Sequence, residues 1–295
     1  MKMRYEVEKA YREMVEKETN DFYSHHILGM FLRNTGRYDE AKEEFSKALK
    51  LAKISGKVVN NEVINYIEDL LKNVELNLKE RISAPTKEYQ ANVMINLLEK
   101  KIRFKDPNKI RLLDIGTGRG EKIYAIARHF NIPLTNVAGI DISDNFIQYT
   151  NKFFRAYKVD LEKDTLPFND EEFDLIIFNQ VLEHLKNIRK PLNEIKRVMK
   201  DDGFLLIGTP NLSSLYDRCR ILIGKQPTVM KIPSTHIRGF TPQGLKKYLE
   251  ENNFRVIGFM GNGFYPLPIE IGRLFARYMP SLSIYIYYLL KKEIK

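Results

Sequence analysis

Apolar and polar residues fall into two rhythms along the chain. Residues 1–82 read as helix throughout, with no proline before Pro85 and few glycines. Farther on, short apolar runs recur at 110–115, 137–142, 156–159, 173–178 and 203–208. Helical stretches at about 119–130, 143–153 and 187–200 separate them. A strand–helix alternation of this kind predicts a parallel sheet covered by helices on both faces. Leu175–Phe178 and Phe204–Ile207 are apolar at every position, as strands buried on both faces require. After residue 209 the rhythm loosens into a variable stretch, 210–235. A helix from about Thr241–Pro242, a strand at 255–260 and a helix at 267–277 follow. The tail, Ser283–Leu290, is rich in tyrosine and β-branched residues, which favours a last strand over a membrane-seeking helix.

Within the helical region, Leu28, Gly29, Gly36, Tyr38, Ala41, Phe45 and Ala48 sit at the spacings of a tetratricopeptide repeat, which this stretch resembles. Gly29 and Ala41 would let two helices approach, Phe45 and Leu49 would fill the groove, and Gly36 would permit the turn. One repeat cannot bury its apolar face alone, so helices over 3–18 and 59–80 are expected as neighbours. The region is either a plain helical extension or a surface for a protein partner. Ser83-Ala84-Pro85-Thr86 marks a boundary, since proline disfavours helix in the residue before it. Two domains are expected, 1–83 and 84–295, with 210–240 and 261–280 on the substrate side.

The 295 residues are 43% hydrophobic, enough for a real core. A single cysteine, Cys219, excludes an internal disulfide and a multi-cysteine zinc site. The charged N-terminus has no apolar signal region, and no run of 18 apolar residues exists; a cytoplasmic location is expected. The net charge of +10 is unevenly spread: residues 210–295 hold 13 basic and 5 acidic side chains. That excess fits either a plain soluble surface or a C-terminal part that faces an anionic partner.

The central motif is Leu112-Leu-Asp114-Ile-Gly116-Thr-Gly118-Arg-Gly120, a strand running into a glycine turn and a helix. Such a turn at the carboxyl end of a parallel strand is where open α/β sheets bind ligands. A P-loop would need Gly-Lys-Ser/Thr, whereas Gly120 is followed by Glu121-Lys122. A dinucleotide site would have its third glycine where Glu121 stands, and a carboxylate there opposes phosphates. Asp114 suits a cationic or zwitterionic ligand instead. Asp141 ends the next strand, where a carboxylate can accept both hydroxyls of a ribose. Asp160, after Val159, can accept an amino group of a base while Leu161 packs on its ring. Asn179 closes a fourth strand. Each acid alone reads equally as a turn or cap residue; their joint placement at one rim favours a site.

Residues 112–209 resemble a class I S-adenosylmethionine-dependent methyltransferase, and most closely the ubiquinone and menaquinone biosynthesis group. The matching motifs are D-I-G-T-G-R-G (114–120), G-I-D-I-S (139–143), V-D-L (159–161), L-P-F (166–168), F-D-L-I-I-F-N-Q-V-L-E-H-L (173–185) and T-P-N (209–211). H-I-R-G-F-T-P (236–242) extends the likeness to about residue 260. The resemblance implies a Rossmann-like doubly wound sheet with an all-α extension, and S-adenosylmethionine as cofactor. Gly116, Gly118 and Gly120 would cradle its methionine part and Asp114 would orient its amino group. Asp141, with Ile142 beside it, would hold the ribose. Asp160 and Leu161 would frame adenine, and Asn179 would lie beside the sulfonium.

His184 is the candidate general base and His236 a weaker one; His184 reads equally as a structural hydrogen-bonding residue. His129 would serve its helix end electrostatically. Some quinone O-methyltransferases of the group hold a metal with E-x-x-E-H; here Gln180 occupies the first position, so no metal is expected. A lid over 210–235, carrying Tyr216, Arg218, Arg220 and Lys225, suits an anionic or lipid-linked small molecule or a glycan, with O- or C-methylation. Nucleic acid is disfavoured for lack of a binding motif. Apolar residues around Phe264–Leu267 and Leu274-Phe275 are expected in the core, with contact at a membrane surface as the alternative. The competing function is a silent binding fold that acts as a scaffold through its helical region. A nicotinamide-dependent oxidoreductase is disfavoured by Glu121.

Overall fold

A computed structural model describes residues 2–34, 37–54, 61–80, 90–232, 235–265, 267 and 269–293. The chain forms two compact units, Met1–Asn92 and Val93–Lys295. The boundary expected at 83–86, and Gly36, lie outside the described residues.

The first unit contains α1 (Lys2–Lys17), α2 (Phe22–Asn34), α3 (Tyr38–Ile54) and α4 (Asn61–Glu80). The close approach of α2 and α3 depends on Gly29, because a Cβ there would stand 2.8 Å from the Phe45 ring. Phe45, Ala41 and Ala48 are fully buried. Tyr11 of α1 meets Phe31 of α2 at 5.5 Å between ring centroids. His25 and Glu44 form a buried pair at 2.6 Å across α2 and α3.

The second unit opens with α5 (Gln90–Lys101), which starts in the first unit's last residues. Its sheet contains β1 (Leu112–Ile115), β2 (Val137–Asp141), β3 (Arg155–Lys158), β4 (Phe173–Asn179), β5 (Met199–Pro210), β6 (Phe254–Asn262) and β7 (Tyr285–Lys292). The order is β3-β2-β1-β4-β5-β7-β6. The first five strands run parallel, and β7 enters antiparallel between β5 and β6. Ser283–Leu290 is therefore mostly strand, and it completes the sheet from the inside. All four residues of β1 are buried, as are Leu175–Phe178 of β4, in keeping with strands covered on both faces.

The connecting helices are α6 (Glu121–His129), α7 (Asp144–Thr150), α8 (Arg189–Val198), α9 (Leu215–Leu222), α10 (Pro242–Glu251) and α11 (Ile269–Tyr278). The chain signals two of their starts plainly. Ser214 caps α9 by accepting the Asp217 N–H, and Thr241 caps α10 by accepting the Gly244 N–H with Pro242 in the first turn. On the face that α8 and α10 cover, Leu192, Ile195, Leu245 and Leu249 join Ile176, Phe178, Leu205 and Ile207 in one apolar cluster. Truncating a side chain such as Ile176 to alanine there costs about 2–5 kcal/mol.

Candidate functional site

The carboxyl ends of β1 to β5 lie side by side. Ile115 pairs with Ile140 and Phe178, Asp141 with Lys158, and Asn179 with Gly208. This register brings Asp114, Asp141, Asn179 and, two residues past β3, Asp160 along one edge of the sheet.

The chain leaves β1 in a tight turn. The Gly116 and Thr117 N–H groups both donate to the Ile140 carbonyl at 2.9 Å. Gly116, Gly118 and Gly120 take φ of +73°, +55° and +76°, conformations that side chains disfavour. Their surroundings differ. A Cβ on Gly116 would lie 2.3 Å from Val181, and one on Gly120 would lie 2.8 Å from Phe154. A Cβ on Gly118 would meet nothing within 4 Å. Two of the glycines are thus required by neighbouring side chains, and Gly118 is the one whose backbone opens to free space. Its N–H donates to Asp141 Oδ2 and its carbonyl accepts the Thr150 hydroxyl, both at 2.9 Å.

Asp114 is 1% exposed, and its Oδ2 has no hydrogen-bond partner. Burial pushes its carboxyl up to about 7, against the pull of the Lys122 ammonium. Asp141 uses its other oxygen to accept the Ser143 N–H at 2.9 Å. The carboxylate therefore braces both the glycine turn and the entry to α7, with further lone pairs remaining. Ile142 next to it is 63% exposed, an apolar surface at the rim. Asp160 is paired with Lys163 at 3.0 Å and accepts the Glu162 N–H; the lysine and that N–H hold its carboxyl below the usual range. Leu161 packs on the core cluster. Asn179 is buried, and a Cβ on Gly208 would stand 2.2 Å from its Oδ1, so the adjacent strand must carry glycine there.

Beyond β4 lies a second group. Glu183 is 1% exposed, its Oε1 has no partner, and its Oε2 accepts the Thr209 hydroxyl at 3.4 Å. Burial pushes its carboxyl up to about 7. His184 and His236 stand beside it, with ring centroids 4.8 Å apart. His184 Nδ1 faces the Thr235 carbonyl at 3.0 Å, and His236 Nδ1 faces the Val229 carbonyl at 2.8 Å. In each ring Nδ1 donates to a backbone carbonyl, which fixes the ring's orientation. One ligand-type atom from each of Glu183, His184 and His236 falls within 4.8 Å of the others. That donor set suits a shared proton or a single divalent cation. The expectation of no metal counted residues 180–184 alone; His236 comes from a distant segment. The Ile237 N–H bond to the Glu183 carbonyl and the Arg238 bonds to the Leu185 and Lys186 carbonyls pin it there. Glu183 is the residue that sequence reasoning passed over as a candidate, and its place in the apolar β4 motif was the available signal.

Two expectations need correction. Phe264 is core, but Leu274 is 55% and Phe275 38% exposed, because α11 turns Gly272 and Ala276 inward instead. His129 ends α6 but pairs with Glu99 of α5 at 2.9 Å rather than serving the helix end alone.

Comparison with known proteins gives the same assignment. The family described as "Methyltransferase domain" matches residues 87–258. An uncharacterized protein of Methanocaldococcus jannaschii, MJ1123, is 42% identical over 101 residues, 34% of this chain and 44% of that protein. The ubiquinone/menaquinone biosynthesis C-methyltransferase UbiE of Desulfotalea psychrophila is 31% identical over 101 residues, 33% of this chain and 40% of that protein. The chain thus spans less than half the length of either curated relative. The solved structure of the [4+2]-cyclase SpnF superposes with a TM-score of 0.50 at 16% identity, covering 72% of this chain and 85% of that one, which speaks for the fold alone. Since the family match extends over more than half of its residues, the chain belongs to the methyltransferase-domain family.

Proposed function

We propose that this protein transfers a methyl group from S-adenosylmethionine to an oxygen or carbon atom of a small-molecule, lipid-linked or glycan acceptor. The observation that carries the reading is Asp114: a buried carboxylate with an unpartnered oxygen, at the foot of a turn whose middle glycine opens to free space. The Thr117 hydroxyl also pulls on this carboxyl, and an ammonium group would pair with its remaining oxygen. The cofactor's amino group, ribose and adenine fit Asp114, Asp141 and the Asp160–Leu161 pair in that order along the rim.

When bound, S-adenosylmethionine supplies an activated methyl group on a sulfonium, which leaves little bond-making for the protein. The chain's residues contribute orientation and exclusion of water, worth up to about 7–11 kcal/mol of barrier. Asp141 holds the turn and the ribose end in one rigid piece. Glu183, His184 and His236 form the group that can take a proton from an acceptor hydroxyl or acidic carbon, worth a further ~100- to 10,000-fold. The C-methyltransferase relative supports carbon as one candidate for the methylated atom.

The test is a calorimetric titration with S-adenosylhomocysteine, followed by incubation with labelled methyl donor and fractionated cell extract. Saturable one-to-one binding and label in one chemical fraction are expected. Folded protein that binds neither the cofactor nor its product would overturn the proposal.

A further inference from the structure

β5 ends at Pro210 and β6 at Asn262, and both residues pair with Tyr285 of the intervening β7. The helices that follow them, α9 and α11, therefore leave the sheet on the same edge as the glycine turn and Asn179. They are neighbours: Tyr216 of α9 meets Tyr265, just ahead of α11, edge-on at 4.4 Å. Asn211, ahead of α9, donates to the carbonyls of Ser281 and Ser283, just after α11.

This edge carries an unusual surface. Among the described residues, 14 large apolar side chains are exposed, and all but Ile54 and Ile142 follow residue 210. In α11, Ile271, Leu274, Phe275 and Tyr278 recur at helical spacing and face outward, 38–72% exposed, while Ala276 faces in. At the end of α9, Leu222 is 84% and Ile223 66% exposed, and nearby Ile232 is 86% exposed. Single exposed apolar residues are ordinary; a concentration of them on one edge marks an interaction surface.

The charges say what kind of partner it fits. Residues 210–240 contain Arg218, Arg220, Lys225, Lys231 and Arg238. Their single acid, Asp217, is fully buried and bonded to Ser214 and Thr228. Long aliphatic tips set among cations, with no exposed carboxylate in the segment, are the features of a helix that lies in a lipid headgroup layer.

We propose that the α9–α11 edge is a docking surface for an anionic lipid bilayer. The aliphatic tips enter the interfacial layer and the arginines and lysines meet the headgroups. The docking stands apart from the methyl-transfer reading. One consequence rests on that reading: an acceptor dissolved in the bilayer would enter the site from the docked side.

The full chain is sedimented with sucrose-loaded vesicles of phosphatidylcholine, alone or with phosphatidylglycerol. We expect binding to the anionic vesicles, at least about tenfold weaker binding to the neutral ones, and loss of binding as salt rises. Leu222→Asp with Ile223→Asp, or Leu274→Asp with Tyr278→Asp, should lower partition about tenfold or more. Lys225→Glu with Lys231→Glu should do the same and flatten the salt dependence. All these positions are exposed, so melting curves and S-adenosylhomocysteine affinity measured without vesicles should stay as in the parent protein. Equal sedimentation with both vesicle types, or parent-like sedimentation of the variants, would overturn the proposal. So would a concentration-dependent dimer in gel filtration that these substitutions dissolve, since the face would then belong to a second copy. Failure to bind S-adenosylhomocysteine would instead tell against the functional reading and leave the vesicle result standing.

Discussion

The carboxylate of Asp141 accepts the backbone N–H of Gly118 at 2.9 Å, so the acid at the end of β2 holds the glycine turn at the end of β1. Its second oxygen holds the Ser143 N–H at the start of α7. Asp141 is thus a strut before any ligand arrives. Asp141→Ala should lower the melting stability of the ligand-free protein, because hydrogen bonds to a charged group are worth about 1.5–3 kcal/mol. It should also weaken S-adenosylhomocysteine binding about 10- to 100-fold. Thermal melts with and without the ligand separate the two losses. A variant that binds weakly yet melts like the parent would mean that the strut carries no load.

Gly116 and Gly118 should respond differently to alanine. Both pay the left-handed backbone cost of about 1–2 kcal/mol. Only Gly116→Ala also drives a methyl group toward Val181, 2.3 Å from the new Cβ. Gly116→Ala should therefore be the more destabilised protein, and Val181→Ala in the same chain should recover part of the loss in a double-mutant cycle. Gly118→Ala should fold with a smaller loss but bind S-adenosylhomocysteine poorly, since its methyl fills the open space. Denaturant unfolding and calorimetry on the parent and the four variants check both halves.

The division of labour among these glycines marks where sequence reasoning stops. The D-I-G-T-G-R-G motif marks a turn after β1, because glycine takes those backbone angles at the least cost. It does not say which glycine faces a ligand, since Val181 and Phe154 come from other parts of the chain. His184 was legible as a candidate because it lies in the first turn after β4. Its meeting with His236 was not, because it depends on Ile237 and Arg238 bonding back to the 183–186 turn. The tail strand was legible from its tyrosines and β-branched residues, whereas its insertion between β5 and β6 is a matter of topology that no local pattern encodes. Leu274 and Phe275 were misread for a general reason: the helical spacing of apolar residues announces a stripe, and nothing in the spacing tells whether core or solvent-side chemistry covers it.

Asp114 makes cofactor binding a proton-linked event. Burial holds its carboxyl near 7 in the folded protein, against an ordinary 3.8. Between those values the folded chain keeps a proton that the unfolded chain has released, so stability falls as pH rises through that window and levels off above about 7. The span corresponds to at most about 4 kcal/mol. An ammonium ligand favours the ionised carboxylate, so binding below neutrality should expel a proton. Affinity for S-adenosylhomocysteine should therefore rise with pH up to about 7. Titrations near pH ~6 in buffers of different ionisation heat count the protons released. Asp114→Asn should bind more weakly and release none. Parent protein that releases no proton would place the ligand's amino group elsewhere.

Glu183 offers the sharpest separation of binding from chemistry. It is buried with one oxygen unpartnered, it follows β4 with His184, and it bonds to Thr209 of β5. Substitutions there should leave the cofactor's contacts with Asp114 and Asp141 in place. Glu183→Gln keeps the shape and removes the charge; His184→Ala and His236→Ala each remove a ring fixed by a backbone carbonyl. Each variant should bind S-adenosylhomocysteine within about twofold of the parent, and each should transfer label about 100- to 10,000-fold more slowly to an acceptor that must lose a proton. Because the three groups act as one unit, the double variant His184→Ala with His236→Ala should be little slower than the worse single one. Additive losses would mean that the two rings work separately. Parent-like rates in all three would leave the cluster a structural device that fastens the 236–238 segment to the end of β4.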